Sequence, residues 1–485
     1  MKRTRRSLLV AIIALVCTAH VGSPDVWYDG AAGPYSVRVH VQAPGVIPGI
    51  AVVNVRASDT GVERVTATAN RFDATGGAPP PEIATRVDGR DGWFRTKLWI
   101  MTSGSYSITV AVSGTRGTGD VVVPLGAVPN RRLGFARPLG IALGVMGVVL
   151  FLGAVSIIGA GVREATLSPG AVPDDAQRKR ARRIMLRAAA AFTLVLLGAW
   201  KWWDSEDAFF ERTMFTPLTS AASVRDGVLT LSITDSAWTQ RNERDWQRMH
   251  GEGVGESLVP DHGKLMHMFV IDSSGGRAFA HLHPVTSDSS TFTSPLPPLP
   301  TGRYTVFGDI VHASGFTQTL VASIELTAPQ TAAARADGDD SFTTRSASAT
   351  LLRATLDDGS TLTWLASSES IVAGQDADLR FAISSLANAP PLELYMGMPA
   401  HAVVVRNDAR VFIHLHPLGT ISMAAQDRLT NHPNAAHIAM PVPADTIAFP
   451  YAFPTAGTYT VWVQIKRGGR VLTGAFDVNV GDATR

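Results

Sequence analysis

Two similar stretches of the 485-residue sequence concentrate residues that could bind a metal ion. Each begins with a histidine and ends, about fifteen residues later, in the sequence His-Leu-His-Pro. The six histidines are His267, His281 and His283 in the first copy, and His401, His414 and His416 in the second. Three neutral imidazoles suit Cu(II), Zn(II) or Ni(II), so the pattern predicts a duplicated transition-metal site.

A β-hairpin in each copy would bring its histidines together. In the second copy, Asn407-Asp408 is predicted to form a two-residue turn, which places His401 directly opposite His414. His416 lies two residues beyond His414 and therefore on the same face of the strand. The second copy thus predicts three imidazoles on one patch.

The first copy has one more residue between its histidines. A three-residue turn at 273–275, with Gly275 in a left-handed conformation, absorbs the difference. The same pairing then predicts that His267 faces His281, with His283 beside them.

The identity of the ion is predicted from the methionines near the two copies. Thioethers favour Cu(I), so copper is the first choice and zinc the alternative. These methionines are Met266, Met268, Met396, Met398, Met423 and Met440. Weaker candidate ligands, without a matched partner in the other copy, are His262, His312, His437 and Met398. Asp261 and Asp309 could bind the ion or orient its ligands.

A purely structural role for the histidines stays open. The His-Leu-His-Pro strand end could be a hydrogen-bonded corner that was duplicated with the fold, and methionine commonly fills cores. Crowded imidazoles need partners, which favours the metal site. We expect no enzymatic activity, because the sequence lacks a His-Glu-x-x-His, a Gly-x-Ser-x-Gly and a phosphate loop. A redox role for a copper site stays open.

The N-terminus has the pattern of an export signal. Residues 1–19 combine a basic start, an apolar run from Leu8 to Val16 and small residues before His20. Cleavage after Ala19 would remove Cys17, the only cysteine. We therefore expect neither disulfides nor thiolate ligands in the mature chain.

Two apolar segments, 138–161 and 184–203, are long enough to span a bilayer. The intervening loop, 162–183, is rich in arginine, and excess positive charge places such a loop in the cytoplasm. The remaining chain is then extracytoplasmic, on the periplasmic side of a bacterial-type cell membrane. The bilayer is the predicted partner; a net charge of +2 without a basic patch argues against nucleic acid.

The rest of the chain predicts a mainly β protein with three immunoglobulin-like β-sandwich modules. Alternating strand patterns with Gly/Pro breaks place these modules at 20–130, 223–327 and 346–485, with a linker at 328–345. Each module contains a glycine followed by a strand-leading tyrosine. We predict a structural role for these tyrosines, as in the tyrosine corner of sandwich folds. They are Tyr106, Tyr304 and Tyr459.

The first module resembles the periplasmic immunoglobulin-like modules of the YtkA-like and FixH-like families. The resemblance rests on Gly33-Pro34-Tyr35, Pro44-Gly45, Pro48-Gly49 and the closing Gly104-Ser-Tyr106 hairpin. It implies an envelope protein partner and a scaffold or assembly role for a membrane complex of the oxidase type. The histidine pattern instead predicts a membrane-anchored, extracytoplasmic protein for copper handling or tolerance.

Overall fold

The computed structural model describes residues 25–482 except 58, 73, 75–76, 169, 240–257, 274–275, 331–336, 346–351, 367–369 and 431–444. The predicted signal peptide, 1–19, therefore lies outside the described residues. The chain forms two compact units. One unit contains the chain up to Pro129 and from Phe215 onward, and the other is Asn130–Met214.

Module 1 is a sandwich of two antiparallel sheets, with strand orders β1-β2-β3-β7-β6 and β5-β4-β8-β9. Valines alternate along its strands and meet in one core, as expected for strands with one buried face. Its strands are β1 Val26–Ala32, β2 Tyr35–Gln42, β3 Gly49–Ala57, β4 Val62–Arg71, β5 Glu82–Ile83, β6 Thr85–Arg86, β7 Trp93–Ile100, β8 Gly104–Gly114 and β9 Gly117–Ala127.

The second unit consists of two helices, α1 (Arg137–Glu164) and α2 (Asp175–Thr213). Both are long and apolar enough to cross a membrane. Helix α2 begins inside the predicted loop 162–183, because Asp174 forms a capping box with Gln177: the Gln177 N–H donates to the Asp174 carboxylate at 2.6 Å. The C-terminal part of the predicted loop is therefore helical, and the 39 residues of α2 exceed the roughly 20 that a membrane span needs.

Module 2 has a three-stranded sheet, β10-β11-β15, and a six-stranded sheet, β12-β16-β13-β14-β18 with β17 on the free edge of β16. A short helix, α3 (Ser236–Thr239), follows β11. The strands are β10 Ser220–Arg225, β11 Val228–Ile233, β12 Leu258–Val259, β13 His267–Asp272, β14 Ala278–Leu282, β15 Thr291–Pro295, β16 Gly302–His312, β17 Thr317–Leu326 and β18 Ser341–Thr344.

Strand β18 corrects the predicted linker at 328–345. Residues 341–344 pair with β14, with Ser341 opposite His281, and Phe342 packs against the core of module 2. A short segment with an aromatic and two threonines is suited to an edge strand. Module 2 also begins at Ser220 rather than at 223.

Module 3 repeats this plan, with sheets β19-β20-β21-β25 and β22-β26-β23-β24, and with β27 on β26. A helix, α4 (Met423–Leu429), follows the second histidine copy. The strands are β19 Arg353–Thr355, β20 Thr361–Trp364, β21 Ala377–Ser384, β22 Leu392–Glu393, β23 His401–Arg406, β24 Phe412–Leu415, β25 Thr446–Tyr451, β26 Gly457–Arg467 and β27 Arg470–Val480. The mainly β fold class, with two apolar helices after the first module, is confirmed.

The predicted tyrosine corners are present in all three modules. The Tyr106, Tyr304 and Tyr459 hydroxyls donate to backbone carbonyls four residues upstream, at 2.8, 2.8 and 2.7 Å. Each bond anchors the turn that leads into the longest hairpin of its module. The tyrosines are thereby accounted for by structure.

Modules 2 and 3 pack against each other through one sheet each. Met268 and Val270 of β13 face the core of module 2, whereas Phe269 and Ile271 face module 3. Across the interface, Phe307 stacks on Phe412 with ring centroids 4.2 Å apart, and Phe279 stacks on Trp462 at 4.9 Å. These strands are therefore buried on both faces.

The interface is reciprocal, as in a two-fold symmetric dimer. Aligning the tyrosine corners of the two modules makes Phe307 the counterpart of Trp462, and aligning the His-Leu-His segments makes Phe279 the counterpart of Phe412. Each stacked pair thus joins one residue of the equivalent pair Phe307/Trp462 to one residue of the equivalent pair Phe279/Phe412. Modules 2 and 3 form an intramolecular pseudo-dimer.

The predicted hairpin registers are wrong by two residues. In module 3, Val403 pairs with His414, and the Arg406 N–H donates to Val411 at 2.9 Å. The connection is a four-residue loop, 407–410, because Ala409 takes a left-handed φ of 57°. Continuing this register places His401 opposite His416.

Module 2 shows the same shift. Phe269 pairs with His281, and the strands leave 273–277 as the loop, of which 274–275 lie outside the described residues. Continuing the register places His267 opposite His283. A shift of two keeps every side chain on its predicted face, because the strand period is two.

Replacement of Trp462 by alanine tests the docking of the two modules. Trp462 is fully buried against module 2, so Trp462→Ala should lower the free energy of unfolding by about 3–5 kcal/mol. The control is Trp99→Ala, at a side chain that is 66% exposed, where we expect a change within about 0.5 kcal/mol. Denaturant unfolding of the full chain in detergent measures both; equally small effects would contradict the docked arrangement.

Candidate metal centre

The six predicted histidines meet at one end of the interface between modules 2 and 3, where His262 joins them. Rings from the two copies approach closely: the centroid of His414 lies 5.2 Å from that of His267 and 5.6 Å from that of His281. We call these seven side chains the histidine cluster. Two separate sites were predicted from the sequence, and the structure brings them together.

The first set of ligands is the predicted one. His267, His281 and His283 each offer a ring nitrogen, and these nitrogens lie within 4.8 Å of one another. The ring centroids are 4.7 to 5.4 Å apart. All three side chains are buried, so this triad could hold a metal ion.

The second set differs from the predicted one in one member. His401 and His416 are joined by His262 of module 2, with their nitrogens again within 4.8 Å. His414 is adjacent, with its ring centroid 5.3 Å from that of His401 and 4.7 Å from that of His416. A residue from the opposite module therefore completes this triad.

The hydrogen bonds of His283 leave one nitrogen for an ion. Its Nδ1 donates to the Asp340 carboxylate at 3.0 Å, and the same carboxylate accepts the His283 backbone N–H at 2.8 Å. The buried Nε2 has no hydrogen-bond partner among the described residues. A carboxylate behind the imidazole that leaves the other nitrogen free is the usual support of a metal-bound histidine.

The tautomer of His281 follows from a chain of hydrogen bonds. Gln464 donates its amide N–H to Ser341 at 2.6 Å, so its carbonyl oxygen faces His281 and accepts from Nδ1 at 2.9 Å. Tyr395 donates to the Asp339 carbonyl at 2.9 Å, and its oxygen also lies 3.1 Å from His281 Nδ1. His281 Nδ1 is therefore protonated, and Nε2 carries a lone pair.

This lone pair faces a second one. His267 Nε2 donates to the Asp261 carbonyl at 3.2 Å, which leaves a lone pair on Nδ1, and Nδ1 lies 3.2 Å from His281 Nε2. Two acceptors at this distance repel unless a cation lies between them. Two nitrogens bound tetrahedrally to one ion at about 2.0–2.1 Å would be about 3.3–3.4 Å apart.

The second set has similar open nitrogens. His416 Nδ1 donates to the Ile421 carbonyl at 3.0 Å, and its Nε2 lies 3.3 Å from His262 Nε2. Both nitrogens of His401, and Nε2 of His414, are buried without a partner in the described part of the chain. Each unsatisfied buried nitrogen costs about 1–3 kcal/mol, which an ion would offset.

Burial keeps five rings of the cluster in the neutral state that binds metals. It holds the pKa values of His267, His281, His401 and His414 well below their usual range, and the neighbouring imidazoles lower them further. The pKa of His416 falls to about 4 for the same reasons. At neutral pH these rings therefore keep their lone pairs.

The histidines are supported reciprocally from the opposite module. Asp309 and Gln464 are equivalent, since Asp309 pairs with His267 and Gln464 with His401. Gln464 binds His281, and Asp309 Oδ2 lies 3.7 Å from His414 Nδ1. Burial raises the pKa of Asp309 to about 7, against a hydrogen bond from Thr319.

His262 has a counterpart in module 3, although the sequence predicted none. It lies in a turn closed by Asp261 and Lys264, and the same turn is closed by Tyr395 and Met398 in module 3. The φ angles agree, at 51° for His262 and 49° for Met396. Met396 is thus the residue equivalent to His262. The sequence signal for this equivalence was a glycine four residues before the first histidine of each copy, Gly263 and Gly397.

Module 1 holds the loop that follows His416. The Asp29 N–H donates to the Leu418 carbonyl at 2.8 Å, and the Thr420 N–H donates to the Trp27 carbonyl at 3.0 Å. Ile421 packs into the core of module 1, and its carbonyl accepts the bond from His416. The orientation of His416 therefore depends on all three modules.

The remaining candidates are not members of the histidine cluster, although Asp261 borders it through the carbonyl that accepts from His267. His312 packs beside Trp238 and contacts Gln318, outside the histidine cluster. Met398 is buried in its turn, and Met266 and Met268 face the core of module 2. The Asp261 carboxylate accepts the Ala424 N–H at 2.9 Å. His437 and Met440 lie outside the described residues.

Comparisons with known proteins leave the function open. Residues 354–482 match a family described as a domain of unknown function, DUF8832, and no curated protein matches the chain. Among solved structures, the fibronectin(III)-like modules of Clostridium thermocellum CbhA are 9% identical, over 56% of this chain and 92% of theirs, with a TM-score of 0.14. The titin domains z1z2, solved with telethonin, are 11% identical, over 56% of this chain and 97% of theirs, with a TM-score of 0.12.

An engineered protein is 22% identical, but the match covers 20% of this chain and 21% of that one, with a TM-score of 0.16. Similarities at these scores carry no argument about function. None of these matches names the YtkA-like or FixH-like families, so that resemblance stays a prediction.

Substitution of Asp340 tests the support of His283. Asp340→Asn removes the carboxylate that fixes the tautomer of His283, and such changes weaken metal affinity by about 10–100-fold. Asp339→Asn is the matched control, because the Asp339 carboxylate pairs with Lys466 instead. Competition titration with a chelator measures the affinity; equal affinities of the two variants would contradict the role of Asp340.

Proposed function

We propose that this protein is a membrane-anchored, extracytoplasmic metal-binding protein that holds copper, or alternatively zinc, in the histidine cluster. The observation that carries this proposal is the pair of facing lone pairs on His267 and His281, 3.2 Å apart. Hydrogen bonds behind each ring fix this arrangement, and a cation between them would satisfy it.

The choice of copper rests on the ligands that the cluster contains. Imidazole binds copper and zinc, and at a given nitrogen site Cu(II) binds more tightly than Zn(II). The positions of Met266 and Met268 in the core of module 2 remove two of the thioethers that favoured Cu(I) from the sequence. The preference for copper therefore rests on the imidazoles, and zinc stays the alternative.

A role in handling or tolerance, without enzymatic activity, fits the burial of the cluster. His281 and His401 are fully buried, and His262 is the partly exposed member. A large substrate could not reach the ligands, whereas an ion could enter beside His262. The two apolar helices would anchor this centre at the membrane.

Metal analysis of the purified full chain tests the proposal. After chelation and reloading, we expect at least one equivalent of copper or zinc per chain, with a raised melting temperature because the ion binds the folded state. The double variant His281→Ala/His401→Ala should lose this binding. Trp99→Ala is the control, because Trp99 is an exposed side chain of β7, three strands away from β1 in the sheet of module 1 and outside the cluster.

Absence of stoichiometric metal, or unchanged binding by the double variant, would contradict the proposal. Stable co-purification of a membrane protein with a variant that binds no metal would instead favour the envelope-scaffold function.

Cysteine labelling tests the proposed topology. In a Cys17→Ala background, Ser223→Cys marks module 2 and Ser168→Cys marks the loop between the helices, and both positions are exposed. A membrane-impermeant thiol reagent should reach Ser223→Cys once the outer envelope is opened, but Ser168→Cys only after the inner membrane is broken. The opposite pattern would invert the orientation, and labelling of both in intact spheroplasts would contradict a membrane-spanning hairpin.

A further inference from the structure

We infer that the histidine cluster is a two-ion centre, in which the two ions lie close enough to interact. This inference rests on the proposed metal-binding function and specifies its form. One ion would be held by His267, His281 and His283, and the other by His262, His401 and His416.

The number of ligands exceeds what one ion can use. Zinc in protein sites takes four ligands, whereas the cluster offers six imidazoles in two sets of three that share no histidine, and His414 as a seventh. Open nitrogens occur in both sets, on His283 in the first and on His401 in the second. A single ion in either set would leave the other set unsatisfied.

The two sets share a boundary at His414. Its ring centroid lies 5.6 Å or less from those of His267 and His281 on one side, and of His401 and His416 on the other. Each ion would lie about 2 Å from its ligand nitrogens, and the ring of His414 lies between the two sets. The two ions would therefore be roughly 4 to 8 Å apart. His414 Nε2, which has no partner among the described residues, could complete either ion.

Carboxylates lie behind the ligands on both sides. Asp340 binds His283, and Asp309 lies 3.7 Å from His414. The negative charge of Asp340 offsets part of the charge of two ions, and Asp309 would add to it once its carboxyl group is deprotonated. Two divalent ions at this separation still repel each other in a buried site, so the second should bind at least about tenfold more weakly than the first.

The second set crosses the boundary between modules. His262 belongs to module 2, whereas His401 and His416 belong to module 3. A substitution in module 2 should therefore abolish the site that lies mainly in module 3. His262→Asn is the suitable variant, because asparagine tolerates the positive φ of 51° at this position.

Electron paramagnetic resonance of Cu(II) on the full chain in detergent tests the inference. One equivalent should give the spectrum of an isolated Cu(II) ion. The second equivalent should broaden this spectrum and add the half-field transition of two coupled spins. His262→Asn and His281→Ala should each bind one equivalent and give only the isolated spectrum, and Trp99→Ala, at an exposed position of module 1, should behave like the unsubstituted chain.

The outcomes separate this inference from the proposed function. Binding of a single equivalent, or binding of two without spin coupling, would each overturn the two-ion centre and leave metal binding intact. Two coupled ions in His262→Asn would overturn the assignment of His262 to the second ion. Absence of any bound copper would overturn the proposed function and the inference together. If His281→Ala does not fold, His283→Ala removes a ligand of the same set and serves in its place.

Discussion

The packing of one sheet of module 2 on one sheet of module 3 determines the other features of this protein. Aromatic residues at one end of the contact, such as Phe279 stacked on Trp462, remove both sheet faces from water. The same faces carry the histidines at the other end, so these side chains are buried too. Neither module alone could keep these imidazoles in the same surroundings, because the outer wall of each set is the opposite sheet.

Burial of so many polar rings costs free energy, and hydrogen bonds to some of their nitrogens reduce this cost. Backbone carbonyls, Gln464 and Asp340 each accept one N–H from a buried imidazole. Other nitrogens, including both of His401, remain unsatisfied in the described residues. The apolar end of the interface can offset this cost, since burial of a large apolar side chain stabilises the fold by about 1.5–3 kcal/mol. An ion would bind most strongly where these unsatisfied nitrogens lie.

Much of this arrangement could be predicted from the sequence, and the reasons for the failures are specific. The period-two pattern placed each histidine triplet on one face, and a register error of two residues did not change that face. The loop at 407–410 was misjudged because a left-handed Ala409 is not evident from residue type. Docking of the modules was missed although β13 is apolar at successive positions, which is typical of a strand buried on both faces. His262 was undervalued because its counterpart is a methionine.

The fusion of two similar modules into one chain removes a restriction that a homodimer cannot escape. In a dimer of identical subunits, every substitution appears twice, at positions related by symmetry. Here Asp309 is matched by Gln464, and His262 by Met396, so the two halves already differ in charge and in donor atom. With both modules in one chain, each half of the histidine cluster can therefore carry its own residues, while the shared interface keeps the two halves in one geometry.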